Sequence, residues 1–320
     1  MLDRRRPGGN PFVSPRREPD RIRILSGLYE GKTTGHPICL LIENQARRPI
    51  DYEQMRDIFR PGHADAAYFM KYGVHDHRGG GRSSARETAV RVAAAAVARK
   101  MLAQYPETAG IKVTAGLVQL GQVSIDAKRW DDAAINSNPL FCPDAAAALL
   151  MQDELELVAG EGDSLGGVVE VRAEGVPPGL GEPVYDKLDA RIAQACMGVN
   201  AAKGVEIGDG FAAAAARGSG NNDQMRSPVS GRFPDAFLTN HAGGVLGGVS
   251  TGQPLIVRVA FKPTPSISRS QLTVDRELRD AEISVGGRHD PAAVVRAAPV
   301  LEAMLWLVLA DFFLLARVGK

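Results

Sequence analysis

The chain has 320 residues, 38 Lys plus Arg against 37 Asp plus Glu, and 44% hydrophobic content, a balance that suits a globular fold with a sizeable core. A formal charge of +1 provides no global field for a nucleic acid or a membrane surface, so a polyanionic ligand must be met by local clusters. Cys39, Cys142 and Cys196 lie far apart without a CxxC pair, which argues against a disulfide framework and points to a reducing cytoplasm.

The opening MLDRRRPGGNPFVSPRREPD has no apolar stretch of signal-peptide length. Its arginines read as a solvated basic face or a nucleic-acid arm. The second reading is discounted, because aromatics are few and Asp3, Glu18 and Asp20 dilute the field a phosphate backbone requires. Residues 21–25 and 38–42 predict an antiparallel hairpin with its turn at 31–35. The histidine-rich stretch 51–82 ends in Gly79-Gly80-Gly81 and suits a functional loop. Ser84 and Glu87 have capping-box spacing before a helix expected over 85–103, with Pro106 just beyond it.

A second hairpin is expected over 111–123, a helix over 144–159, a strand over 166–173 and an amphipathic helix over 186–199. Glycine-rich loops follow at 204–222 and 243–252, with a strand at 255–261 between that second loop and a terminal helix beginning near Asp290-Pro291. The apolar stretch 298–315 approaches membrane-spanning length, but Pro299, Glu302 and Asp311 interrupt it, and it is expected as a buried helix with no membrane span. Paired strands and separate helices predict an α+β fold with antiparallel sheets, as a single domain over 1–320.

Several clusters could carry chemistry. Gly79 to Arg86 reads either as an anion site at a helix start or as a capped helix after a flexible turn. His63, in Arg60-Pro61-Gly62-His63-Ala64-Asp65, has the setting of a positioned general acid. His75 and His77 flank Asp76 and are either hydrated surface residues or, with His63 and Asp65, metal ligands. Arg288-His289-Asp290-Pro291 is either a reactive cluster or a helix cap. The stretches starting at Lys262 and Asn240 are either ligand loops or turns.

In order, LDRRRPG, RREPD, SGLYEGKTTG, RPGHAD, RGGGRSSARET, EGDSLGG, PPGLGEPVYDKLDA, NAAKGVEIGDGF, NHAGGVLGGVSTGQ, KPTPSI and GRHDP resemble the chorismate synthase family across essentially the whole length. The resemblance implies a β-α-β sandwich with helices between antiparallel sheets, assembled as a cytoplasmic homotetramer. It implies a 1,4-elimination of phosphate from 5-enolpyruvylshikimate 3-phosphate, giving chorismate, with reduced FMN and without net redox change. NADPH is the expected reductant of the flavin, and no metal, nucleic acid or membrane takes part.

The same resemblance places FMN at Arg82, Ser83, Ser84, Asn200, Ala201 and Gly247, at Lys262, Pro263, Thr264, Pro265 and Ser266, and at Arg288. It assigns His63 to protonating or stabilising the reduced flavin, Asp290 to removing the ring proton, and Arg5, Arg60, Arg86 and Arg288 to the substrate's carboxylates and phosphate. The sequence also departs from the family pattern. It contains no Gly-Glu-Ser-His-Gly motif, has Pro11 where an arginine is expected and Pro265 where a serine is usual, and is longer than usual over 221–234. These departures predict, as the alternative, a catalytically impaired FMN- or anion-binding homologue.

Overall fold

The structure, a computed structural model, describes residues 1–45, 49–78, 81–286 and 289–318. At its centre is a five-stranded antiparallel sheet with Val123–Ser124, Lys112–Leu120, Gly167–Glu174, Leu255–Phe261 and Ala202–Ile207 as successive neighbours. Period-two alternation along Leu255–Phe261 buries Leu255, Val257, Val259 and Phe261 on one face. Register places Ala173, Val171 and Val169 directly opposite the first three, so one apolar face is built of cross-strand pairs and a one-residue slip would expose all of it.

Helix Ala297–Val318 packs against the 112–120 and 167–174 strands, and helix Thr88–Leu102 packs on it. The 88–102 helix in turn touches strand Leu40–Ile42, which pairs antiparallel with Ile22–Ile24. Two helices therefore lie between antiparallel sheets, as the α+β expectation requires. Because the last helix is covered on several sides, it is apolar almost all round. The segment 293–318 has the length and apolarity of a membrane span, yet 72% of its most apolar window is buried inside the chain, so it is the interior helix expected. Truncating Leu305, fully buried there, to alanine should cost ~2–5 kcal/mol.

Several expectations are corrected. The 31–35 turn belongs to a nested hairpin, Leu28–Tyr29 with Lys32–Thr33. The 51–82 stretch contains helix Asp65–Tyr72, which has no side-chain cap and ends at Gly73 with φ 70°. Strand Ala202–Ile207 extends into the expected 204–222 loop, and Gln271–Val274 pairs with Asp280–Ile283 as an unanticipated hairpin. Ser84 does cap, but it caps the 3-10 turn Ala85–Glu87 through Arg86 N, and the α-helix starts only at Thr88. Glu87 does not complete a capping box; it pairs with Arg91 at 2.9 Å. Nor does Asp290 cap the last helix. A 3-10 turn, Ala293–Arg296, stands between them, and the Asp290 carboxylate is engaged elsewhere.

Candidate active site

A cavity of about 390 Å³ opens where the N-terminal segment, the 60–64 turn, residues 83–88, the 199–201 turn, the 261–266 segment and the start of the last helix converge. Its size falls in the range of small-molecule sites. Gly62, at φ 68°, makes the turn that brings Arg60 and His63 back onto Asp65, the first residue of its helix. Arg60 grips Asp65 bidentately, Nε to Oδ2 at 2.7 Å and Nη2 to Oδ1 at 2.9 Å. His63 Nδ1 lies 2.5 Å from the same Oδ1. Burial alone would raise the Asp65 carboxyl, but hydrogen bonds from Arg60 and then His63 outweigh it and hold the group far below the usual carboxylate range. Burial pushes the His63 ring below its ordinary value, with Asp65 opposing and Arg60 and Lys262 reinforcing the shift.

The N-terminal arginines are a solvated face only in part: Arg6, Arg17, Arg21 and Arg23 are exposed, while Arg4 and Arg16 are half-buried and Arg5 is buried. Arg5 is 1% exposed and donates to Thr88 Oγ1 at 3.2 Å, Ala85 O at 2.9 Å and Asp20 Oδ2 at 3.4 Å. Burial, then the nearby charge of Arg296, brings its guanidinium down to about 10. Arg86 shares Asp20 at 3.2 Å and lies 3.5 Å from Glu18, which Arg16 also pairs at 3.2 Å. Asp290 accepts from Ser14 N at 2.6 Å and from Arg296 at 2.8 Å, while Arg296 Nε donates to Arg5 O at 3.0 Å.

Across the cavity, Lys262 Nζ donates to Gly62 O, and burial, then Lys203, lowers its ammonium. The backbone N–H of Lys262 donates to the carbonyl of Ala201 at 3.0 Å, and Ala201 adopts a left-handed φ of 69°. Asn200 Nδ2 donates to Ser83 O at 3.2 Å. Thr264 O accepts from Ser164 Oγ at 2.7 Å, which anchors that segment to the neighbouring loop.

The cavity thus collects most of the expected site. Arg5, Arg60 and Arg86 line it, as do His63 and Asp290. So do Ser83, Ser84, Asn200 and Ala201, and on the opposite segment Lys262, Thr264, Pro265 and Ser266. Arg82 and Pro263 are exposed and outside its lining. Gly247 is also outside, in the turn between Val245–Leu246 and Val249–Ser250. Arg288 lies outside the described residues.

His75 is not a hydrated surface residue: its side chain is 5% exposed, 3.3 Å from Asp65 and edge-on to Phe59. His77 is 3.8 Å from Glu53. Among the described residues, no group of three or more His, Cys, Asp or Glu is placed to hold a metal. His241 pairs with Asp209, which follows the Ala202–Ile207 strand, at 2.7 Å, away from the cavity lining. Sequence reasoning missed four charges that organise the site, Arg16, Glu18, Asp20 and Arg296, and offered Asp65 only as a metal ligand. It noted the titratable ring of His289 without placing it in the cavity, where it also lies and where burial and Arg60 lower it. The acids of the RREPD motif were the available signal.

The cavity fits an anionic aromatic cofactor with hydroxyl and amide edges. Asn200 Oδ1 and Thr264 Oγ1 are buried without a hydrogen-bond partner, and both belong to its lining. Buried polar atoms of this kind are costly unless a ligand or water meets them. Around them stand Arg5, Arg16, Arg60, Arg86, Lys262 and Arg296, opposed by Glu18, Asp20, Asp65 and Asp290.

The chorismate synthase family model matches residues 1–314. The chain is similar to chorismate synthase of Paramagnetospirillum magneticum, 55% identical over 98% of this chain and 85% of that protein. It is similar to the Rhodospirillum centenum chorismate synthase at 56% identity over 99% of this chain and 83% of the relative. A crystal structure of chorismate synthase superposes with a TM-score of 0.71 at 35% identity, covering 93% of this chain and 79% of that one. These matches favour the synthase over the impaired homologue that the sequence departures predicted. The chain belongs to the chorismate synthase family, the reduced-flavin-dependent lyases that eliminate phosphate from 5-enolpyruvylshikimate 3-phosphate to give chorismate for aromatic amino acid synthesis.

Proposed function

We propose that this chain holds reduced FMN and 5-enolpyruvylshikimate 3-phosphate together in the 390 Å³ cavity. The observation that carries this reading is the surplus of cations on its wall, matched to a substrate with two carboxylates and a phosphate. Bound reduced flavin supplies electron density to the allylic system as phosphate departs. Asn200, Ala201 and the segment from Lys262 to Ser266 would hold it, with Ser83 and Ser84 at the same wall. Asn200 Oδ1 accepts an N–H, and Thr264 Oγ1 accepts or donates to an amide or hydroxyl edge.

Arg60, with Arg5 and Arg86 on the N-terminal wall, orients the substrate anions and stabilises charge on the leaving phosphate. These guanidiniums are already fixed by Asp65, Asp20 and Glu18, so little side-chain ordering is left to the binding step. Asp290 is the acceptor of the ring proton; Ser14 N and Arg296 hold its carboxylate in place, and each oxygen keeps a further lone pair for that proton. His63 turns its Nε2 to the cavity and holds or shares a proton there with the anionic ring. In solution the chain is a cytoplasmic homotetramer of one-domain subunits, with NADPH as the source of reducing equivalents. Light scattering showing only monomer would refute that assembly.

Anaerobic fluorescence and absorbance titration tests the cavity directly. Reduced FMN should bind more tightly than oxidised FMN, and an Asn200→Ala, Thr264→Val double variant should weaken both. Unchanged affinity in that variant would remove these two residues from the flavin site.

A further inference from the structure

Asp65 stands behind the cavity wall rather than on it. Its side chain is 1% exposed, and two residues of the wall converge on its carboxylate. Oδ2 accepts from Arg60 Nε at 2.7 Å, and Oδ1 accepts from Arg60 Nη2 at 2.9 Å. His63 Nδ1 approaches the same Oδ1 to 2.5 Å. An ionised carboxylate is an acceptor only, so the ring nitrogen facing it must carry the proton. Arg60 Nη2 lies 2.9 Å from that nitrogen and carries a second N–H, but a bare Nδ1 would set lone pair against lone pair across the shorter 2.5 Å contact to Oδ1. With Nδ1 committed to Asp65, the other nitrogen, Nε2, is the one left for chemistry. Among the described residues, nothing hydrogen-bonds to Nε2, and His63 lines the cavity.

We propose that Asp65 is a positioning residue of this site, whose single carboxylate fixes both the Nδ1-protonated tautomer of His63 and the plane of the Arg60 guanidinium. The inference rests on the reading of the cavity given under Proposed function. His75 closes the arrangement from behind: it is nearly buried, and its Nε2 lies 3.3 Å from Oδ1 without hydrogen-bonding geometry. That imidazole limits how far the carboxylate can rotate away from His63. The charged and titratable groups facing His63 are Asp65 and Arg60 beside it, Lys262 across the cavity and His289 from the segment before the last helix. Of these, Asp65 alone favours a protonated ring. Replacing it by a neutral group must therefore shift protonation of His63 to lower pH.

Long-range ¹⁵N–¹H spectra of the histidine rings, with His63 assigned by its loss in His63→Gln, read the tautomer in the intact protein. The expected wild-type spectrum has a protonated Nδ1 and a bare Nε2; a protonated Nε2 in the neutral ring would overturn the proposal without any variant of Asp65. The second arm measures turnover against pH for Asp65→Asn and Asp65→Glu, each alone and with His63→Ala. Asp65→Asn should lower kcat by about 10- to 100-fold, as loss of an outer orienting partner commonly does, and move the alkaline limb, on which His63 loses its Nε2 proton, to lower pH. Asp65→Glu, which keeps the charge, should restore part of both. In the His63→Ala background Asp65→Asn should cost clearly less kcat than in the wild type, only the share carried by Arg60, while KM still rises. An equal loss of kcat in both backgrounds would overturn the proposal. Wild-type turnover by His63→Ala would instead remove the role given to His63 itself, and the spectra would still decide what Asp65 does.

Discussion

Asp65 and Glu302 are both buried carboxylates gripped by an arginine, yet their surroundings push them in opposite directions. Glu302, 5% exposed in the last helix, accepts from Arg4 at 2.6 Å and from Ala115 N at 3.0 Å. Burial raises its carboxyl above the ordinary value, and Arg4 offsets this only in part. Nε and Nη2 of Arg4 are themselves buried without partners. Asp65 has Arg60 twice, His63 and the backbone N–H of Arg60, and these bonds outweigh its burial. The difference separates site from scaffold. Where donors exceed what one carboxylate can use, the surplus cation faces a ligand; where they fall short, a charge is merely tolerated in the core.

If that division is right, carboxylates on the cavity side govern turnover and Glu302 governs stability. The largest effect is expected at Asp290: alanine there should lower kcat by about 10²- to 10⁴-fold with a smaller change in KM, since a base acts mainly in the transition state. Normal turnover in an anaerobic assay would reduce Asp290 to an anchor for Ser14 and Arg296. Next, Glu302→Ala should destabilise the fold by about 3–5 kcal/mol in denaturant titration, because it strands Arg4, while turnover per folded molecule stays at the wild-type level. A kinetic defect without a stability loss would erase the distinction between the two regions.

Arg60→Lys keeps the charge but loses the bidentate fork. KM should rise roughly tenfold, in line with about 1.5–3 kcal/mol for a charge-assisted hydrogen bond, and steady-state kinetics at fixed reduced FMN measures this. The smallest effects concern pH. Asp65 is depressed in the fold, so its stabilisation is present above its ordinary value of 3.8 and lost as pH falls below it. Glu302 is raised, so its contribution is present below its ordinary value of 4.5 and lost as pH climbs through the folded value. Melting curves should therefore flatten on the acid side in Asp65→Asn and above pH 4.5 in Glu302→Gln. Parallel curves for wild type and Glu302→Gln would contradict the account of that pair.

Much of the scaffold is legible in the sequence because its signals are local. The Leu255–Phe261 strand has strict period-two burial, and Asp144 caps the Ala145–Gly160 helix with its own carboxylate. Helix Asp65–Tyr72 is hidden by its eight residues and absent side-chain cap, and Ala202–Ile207 by Lys203, Gly204 and Glu206 on a half-exposed edge strand. The site is legible only through motif resemblance, since its geometry depends on partners far apart in the chain. Glu18 and Asp20 read in sequence as acids that dilute a basic field; in the fold they neutralise Arg86 from 68 and 66 positions away, and Asp20 also pairs Arg5 within the same segment. No local pattern announces that Arg296 reaches back to Arg5 O across 291 residues.

The central claim is that the cation-lined cavity performs the elimination. It is tested most directly by incubating this chain anaerobically with 5-enolpyruvylshikimate 3-phosphate and reduced FMN, and measuring chorismate and phosphate together. The account predicts equal amounts of the two products over many turnovers, none without reduced flavin, and near-complete loss in Asp290→Ala. Release of no phosphate by a chain that demonstrably binds both flavin and substrate would contradict it.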